Sequence, residues 1–183
     1  MSAKYSKTTA EPISWDKATY IIDILGMSHP KKAMFVACGI YLGLRVGDLL
    51  TLTYEMIESG RIVITEEKTG KTKVVAVNKK LQEVIQKHKQ GMGKIFTSYK
   101  GKVLSRQHAN VMLHGIAKRF KIESNFSCHS LRKTMGRHVW EMDGQSDRAL
   151  IHLSQIFNHT STSMTRRYLG ITDKEITDIY LNL

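Results

Sequence analysis

The sequence predicts a mainly α, α+β fold: a helical bundle carrying one small antiparallel β-hairpin. Most of the chain places apolar residues at helical spacing, and a single pair of β-branched segments breaks that pattern. No internal repeat or low-complexity linker divides it. At 183 residues the chain is long enough for one well-packed core and short for two. One domain is therefore expected over residues 14–183, preceded by a polar, flexible arm over residues 1–13 that has no hydrophobic period.

Ser14 is placed to cap a first helix running to about Leu25, with Gly26 able to end it. Pro30 suits a first helical position, and Ala33 to Leu42 is apolar on nearly all sides, which predicts the buried central helix. Gly43 interrupts that helix and delivers Arg45 at the break. RIVIT and TKVVAV, separated by EEKTGK, predict the hairpin, with Lys68 near its tip. Asn78 caps a helix that stops near Gly91. Ser105 caps another, in which Ala109, Met112, Leu113, Ile116 and Phe120 share a buried face. Leu131, Met135, Val139 and Met142 mark the buried stripe of the next helix, which Gly144 can terminate, and His129 and Arg132 share another face of it. A helix from about Asp147 to Phe157 ends at Asn158 and His159, and TSTSMT then leads through a turn and short helix to Tyr168. At the tail, Thr172 as cap, Glu175 three residues on and an Ile171–Ile176 staple predict a C-terminal helix over residues 173–182.

Composition narrows the function. Lys and Arg number 28 against 16 Asp and Glu, a formal net charge of +12, which points to a polyanionic partner because each neutralised phosphate releases a counterion. Cys38 lies in an apolar run and Cys128 just before a histidine, so neither a disulfide framework nor a metal-type cysteine pair is expected. The eight histidines show no HExxH or clustered Cys/His spacing, so no metal is expected. The N-terminus lacks a signal-type apolar run, and the stretch AMFVACGIYLGL is too short to span a bilayer. A cytoplasmic protein with no membrane role is the expectation.

Two arginines, a lysine, histidines and a tyrosine all fall at breaks, turn tips or helix ends, where polar groups face outward from a packed scaffold. Two arginines converging on one phosphate can fork onto its non-bridging oxygens and stabilise a five-coordinate transition state. A tyrosine hydroxyl is a poor nucleophile at neutral pH unless a cationic site or a base helps remove its proton. A departing sugar oxygen needs a proton, which a lysine on a hairpin tip can supply.

GLRVGDLL, the hairpin EKTGK, HSLRKT and FNHTSTSMTRRYLG occur in the order and approximate spacing of the tyrosine recombinase catalytic domain, which the chain resembles from about Trp15 to its end. HSLRKT and NHTSTSMTRRYLGIT look like small stand-alone integrases of phages and other mobile elements. The resemblance implies Arg45 as the first catalytic arginine, His129 and Arg132 as the HxxR pair, His159 as the second histidine, Lys68 as the hairpin lysine and Tyr168 as the nucleophile. It implies a 3′-phosphotyrosyl link to double-stranded DNA, no cofactor and no metal, and a monomer that assembles as a tetramer on DNA. Asp48 stands where relatives often carry glutamate, and is expected to orient a catalytic side chain. TKVVAV has alanine where relatives often have proline, and no core-binding domain is expected ahead of the catalytic one.

Each residue also has a plainer reading. Arg45 alone would be a helix-end or backbone-phosphate contact, Lys68 a solvated turn residue, His129 and Arg132 a surface pair, and His159 a helix cap. Their order along the chain favours catalysis. Arg166 and Arg167 read as DNA-backbone contacts, and His29, His88, His108, His114, His138 and His152 as surface or core histidines. Lys71 and Lys73 compete with Lys68, with strand register deciding. A DNA-binding protein with an idle site and a type IB-like topoisomerase stand as alternative functions; the direction of recombination and the DNA site are not readable.

Overall fold

The structure, a computed structural model, describes residues 10–68, 70–171 and 180–183. Helices α1 (Trp15–Ser28) and α2 (Pro30–Leu42) pack against each other and are followed by two short helices, α3 (Val46–Leu50) and α4 (Tyr54–Glu58). The hairpin β1 (Arg61–Thr65) and β2 (Thr72–Ala76) comes next, then α5 (Lys79–His88), α6 (Arg106–Arg119), α7 (Cys128–Met142), α8 (Asp147–Phe157) and α9 (Thr162–Leu169). The two strands pair antiparallel from Arg61 opposite Ala76 to Thr65 opposite Thr72. This is the mainly helical α+β fold expected.

Side-chain caps set most helix starts. Ser14 accepts from the Lys17 amide, Asn78 from Leu81, Ser105 from His108, Ser146 from Ala149 and Ser161 from Met164. Helix α1 does not end at Gly26 but runs to Ser28, because Gly26 serves packing: a Cβ there would lie 2.7 Å from Nε2 of His88. The following helix is the buried centre, with Ala33 through Ile40 all inaccessible, and it packs on α1, α5 and α7. The five-residue α3 and α4 were hidden from periodicity, since one turn carries no repeat to read.

Two further predictions are corrected. Met142 is 74% exposed; the buried positions of α7 run from Leu131 through Gly136 to Trp140, since this helix is packed from two sides and its inward face drifts around the axis. The end of the arm is not loose: the Glu11 amide donates to the Asn125 carbonyl and the Ile13 amide to Oγ1 of Thr134, while the Ile13 side chain packs on the core. Residues 1–9 lie outside the described residues, as does most of the expected tail helix, including Thr172, Glu175 and Ile176. Ile171 is buried beside Trp140 and Leu150.

The core has two parts. A large cluster joins α1, α2, the short helices, the hairpin, α5, α6 and Leu131 of α7. A smaller one joins Trp140 of α7 with Ala149, Leu150, Leu153, Phe157, Leu169 and Ile171. Helix α7 is the shared wall.

Candidate active site

Gly43 ends α2 in the left-handed region at φ 56°, so the chain can turn sharply and place Arg45 as the residue capping α3. Arg45 Nη2 donates to the Phe157 carbonyl at 3.1 Å. Arg132, on the first turns of α7 and only 3% exposed, donates from Nη2 to the same carbonyl at 2.9 Å and from Nη1 to the Gly43 carbonyl. Its guanidinium also stacks on the Phe157 ring at 4.3 Å. Two like charges thus meet on one oxygen at the C-terminal end of α8, where the helix dipole is negative.

The counter-charge is Glu66, which sequence reasoning missed. It is 1% exposed, 2.5 Å from Arg45 Nη1 and 2.8 Å from Lys73 Nζ, and it accepts from Asn158 Nδ2 at 3.2 Å. The signal was present: in strand alternation Glu66 follows Ile62 and Ile64 on the inward face, and a carboxylate there needs buried cations. Register places Lys73 opposite Ile64, half-buried, with burial pulling its ammonium below the ordinary lysine range and Glu66 opposing that. Lys71 donates to Asn158 Oδ1 at 3.3 Å. Lys68 is exposed at the hairpin tip and lines a cleft of about 370 Å³ together with Arg45, Gly47, Asp48, Arg106 and His129. A larger groove of about 640 Å³, lined by residues of α4 and α5, holds none of these groups.

Asp48 is buried, and among the described residues its carboxylate makes no hydrogen bond or ion pair with a predicted catalytic side chain. Its Oδ1 accepts the Glu67 amide at 3.1 Å, fixing the backbone just before Lys68, and its Oδ2 has no hydrogen-bond partner among the described residues. The Glu67 carboxylate pairs with Arg106 across the cleft mouth.

His129 lines the cleft with Arg45 and Lys68, and His159 lies against the Phe157 and Tyr168 rings. Burial lowers the His129 imidazole, and the charges of Arg132, Lys133, Lys68 and Arg45 lower it further. His159 is pushed down to about 4, by burial first and then by Arg132, Arg45 and Lys68, so its ring is neutral at pH 7. Its Nδ1 lies 3.0 Å from Oγ1 of Thr165.

Helix α9 carries Tyr168 inward. The ring meets Phe157 and His159 edge to face, with centroids 5.4 Å and 5.2 Å away. Its hydroxyl is buried next to the Arg132 guanidinium without a hydrogen bond of full geometry. Burial raises the phenol, while Arg132 and Arg45 pull it back. Arg166 and Arg167 point outward from the same helix, and Arg166 sits 3.5 Å from Asp147. The structure therefore gathers Arg45, Arg132, His159 and Tyr168 tightly, ranges Lys68 and His129 along the adjoining cleft, and leaves the two outer arginines on the surface. Among the described residues no cluster of three metal-ligating side chains occurs, and no helix is long and apolar enough to cross a membrane.

Several known proteins are similar to this chain in sequence or in fold. A probable integrase/recombinase, YoeC, of Bacillus subtilis (strain 168) is 31% identical over 140 residues, which cover 74% of this chain and 75% of that protein. A tyrosine recombinase XerD of Halalkalibacterium halodurans is 27% identical over 149 residues, 75% of this chain but only 48% of the relative, so the chain spans about half of that protein's length. Among solved structures, XerA recombinase superposes with a TM-score of 0.73 at 19% identity, over 100% of this chain and 66% of the other. A lambda integrase dimer bound to a COC′ core site gives 0.69 at 18% identity, over 92% and 50%. The model of the phage integrase family matches residues 17–175, and the chain belongs to that family of tyrosine recombinases.

Proposed function

We propose that this chain carries out site-specific recombination by cleaving and rejoining double-stranded DNA through a 3′-phosphotyrosyl intermediate. The observation that carries the reading is the convergence of Arg45 and Arg132 on a single carbonyl oxygen beside the buried Tyr168 hydroxyl. Guanidiniums that already share one oxygen acceptor are preorganised for the oxygens of a phosphate, and fixed charge of this kind stabilises a five-coordinate transition state without reorganisation.

In this scheme the scissile phosphate enters from the cleft. Tyr168 Oη attacks phosphorus in line, the bond to the 5′-oxygen breaks, and Lys68 at the cleft wall gives that oxygen its proton. His159, neutral and held through Nδ1 by Thr165, has its other ring nitrogen for a phosphate oxygen. His129 serves the phosphate from the cleft, and Asp48 sets the hairpin tip. A 5′-hydroxyl from a second duplex reverses the step. The excess of 12 positive charges supplies most of the DNA affinity, with Arg166 and Arg167 on the backbone. Relatives described as bound to a COC′ core site and to palindromic difH support duplex DNA as the partner. A tetramer on two duplexes, formed from monomers in the cytoplasm, is the working assembly we infer.

The test is a duplex from the DNA flanking its gene, nicked near the cut so that the short flanking strand is lost after cleavage. An SDS-resistant adduct should accumulate, and Tyr168→Phe should abolish it. An adduct with the phenylalanine variant sinks the reading. Relaxation of supercoiled plasmid without joining of two duplexes would mark a topoisomerase instead.

A further inference from the structure

Lys133, the residue after Arg132, is 5% exposed in the wall of α7. Among the described residues it forms no salt bridge and no hydrogen bond through its ammonium; the acidic group that acts on it is Glu11, at a distance, in the segment before α1. The stem of the lysine is buried while its ammonium still reaches solvent, so the charge is tolerated there, yet methionine or leucine would fill the same space with no charge to keep hydrated. Such a group calls for a reason. The structure gives one: its Nζ lies 5.2 Å from the centroid of the Tyr168 ring, over the face.

The remaining sides of that ring are taken. Phe157 and His159 meet it edge to face, and Arg132 lies beside the hydroxyl. The charges that act on the Tyr168 phenol are those of Arg132 on α7 and Arg45 before α3, while the His159 ring meets its edge and the Lys133 ammonium stands over its face; the charge that acts on Lys133 is that of Glu11. One turn along α7, Arg137 is engaged by Glu141. A cation over a phenol face is attracted to the neutral ring and more strongly to the phenolate, whose charge spreads into the ring.

We propose that Lys133 is a positioning residue for the nucleophile: seated on the face of Tyr168, its ammonium holds the phenol toward the phosphate and favours loss of the phenolic proton. The proposal rests on Tyr168 being the nucleophile. During cleavage the Oη–phosphorus bond forms, the bond to the 5′-oxygen breaks, the phenolic proton passes to water in the cleft and Lys68 protonates the leaving oxygen. Lys133 stays protonated and exchanges nothing.

The experiment compares Lys133→Met, which keeps length without charge, with Lys133→Arg, which keeps charge. Single-turnover cleavage of the nicked duplex is followed across pH, beside DNA affinity and thermal melting. The methionine variant should bind DNA as the parent does and cleave roughly 10- to 100-fold more slowly near neutral pH, a change equal to tenfold for each step by which the phenol becomes harder to ionise. The deficit should shrink as pH rises, and the arginine variant should stay near the parent. Replacing Tyr168 by 2,3-difluorotyrosine, a more acidic phenol, should accelerate the methionine variant more than the parent. Parental cleavage in Lys133→Met, a deficit equal at every pH and untouched by the fluorinated phenol, or a matching loss of DNA affinity would each overturn the proposal. If Lys133→Met melts too early to assay, Lys133→Gln below its melting temperature gives the same readings. Failure of the underlying reading is separate, because it shows as an adduct that survives Tyr168→Phe.

Discussion

Glu66 is the residue on which the charge balance of the site turns. It faces Arg45, Lys73 and Asn158 from a position with 1% exposure. Glu66→Ala should leave both cations without their carboxylate, at a cost toward the lower end of about 3–5 kcal/mol, because solvent still reaches part of Arg45 and Lys73. Urea unfolding at pH 7 checks it; a loss within the error of surface substitutions would show that Glu66 is dispensable. His159 gives a pH signature. Unfolded histidine takes its proton near 6.5 and the folded ring near 4, so the unfolded state binds more protons between those values. Stability from this residue is therefore complete above about pH 6.5 and is lost as pH falls toward 4. His159→Gln should flatten the difference between urea midpoints at pH 7 and pH 4.5, and an unchanged slope would remove His159 as its source. The reactive residue types were readable from the sequence because their order is itself a pattern. Glu66 could have been found by carrying the alternation of Ile62 and Ile64 one step past the strand, whereas Lys133 could not, since a single charged letter says nothing about burial until the helix face is placed.

At the level of elements, two glycines separate the fixing of the hairpin tip from the packing of the nucleophile helix. Gly47 stands under the Glu67–Arg106 pair, where a Cβ would meet the ends of two long side chains that can move, Arg106 Nη2 at 2.9 Å among them. Gly136 of α7 faces Leu169 of α9 and the Phe157 ring, and a Cβ there would lie 2.6 Å from Leu169 Cδ2. Gly136→Ala should therefore cost about 1–3 kcal/mol by overpacking and push α9, with Tyr168, out of line. Gly47→Ala should leave the melt nearly unchanged yet slow cleavage by loosening the backbone that Asp48 and Arg106 hold beside Lys68. Melting and single-turnover cleavage on both variants decide the matter; equal thermal losses would mean that the two glycines do the same job. The long elements and their caps were legible because serine or asparagine precedes a clear apolar period. The short α3 and α4, and the drift of the α7 stripe that exposes Met142, depend on neighbours that only the folded chain supplies.

Across the whole molecule, the groups proposed to act together are distributed over two hydrophobic clusters of unequal size. Arg45 and the hairpin belong to the larger, Tyr168 packs on the smaller, and α7 lies between them. Arg132 ties the two by donating to Gly43 at the end of α2 and to Phe157 at the end of α8. A small cluster has less apolar area to lose on opening, so it opens at lower free energy than a large one. Amides of α8 and α9 should accordingly exchange hydrogen through an opening that leaves α2 protected. Arg132→Met should lower protection in α8 and α9 more than in α2, because it removes the two buried ties that Arg132 makes between the clusters while retaining an apolar stem and leaving the ties from Arg45 and the hairpin in place. Binding the nicked duplex to the parent protein should raise protection in the same two helices, since a phosphate held by Arg45 and Arg132 supplies a further link across the divide. Uniform exchange over α2, α8 and α9, with or without DNA, would show that the molecule opens as one unit and that the nucleophile is positioned without this coupling.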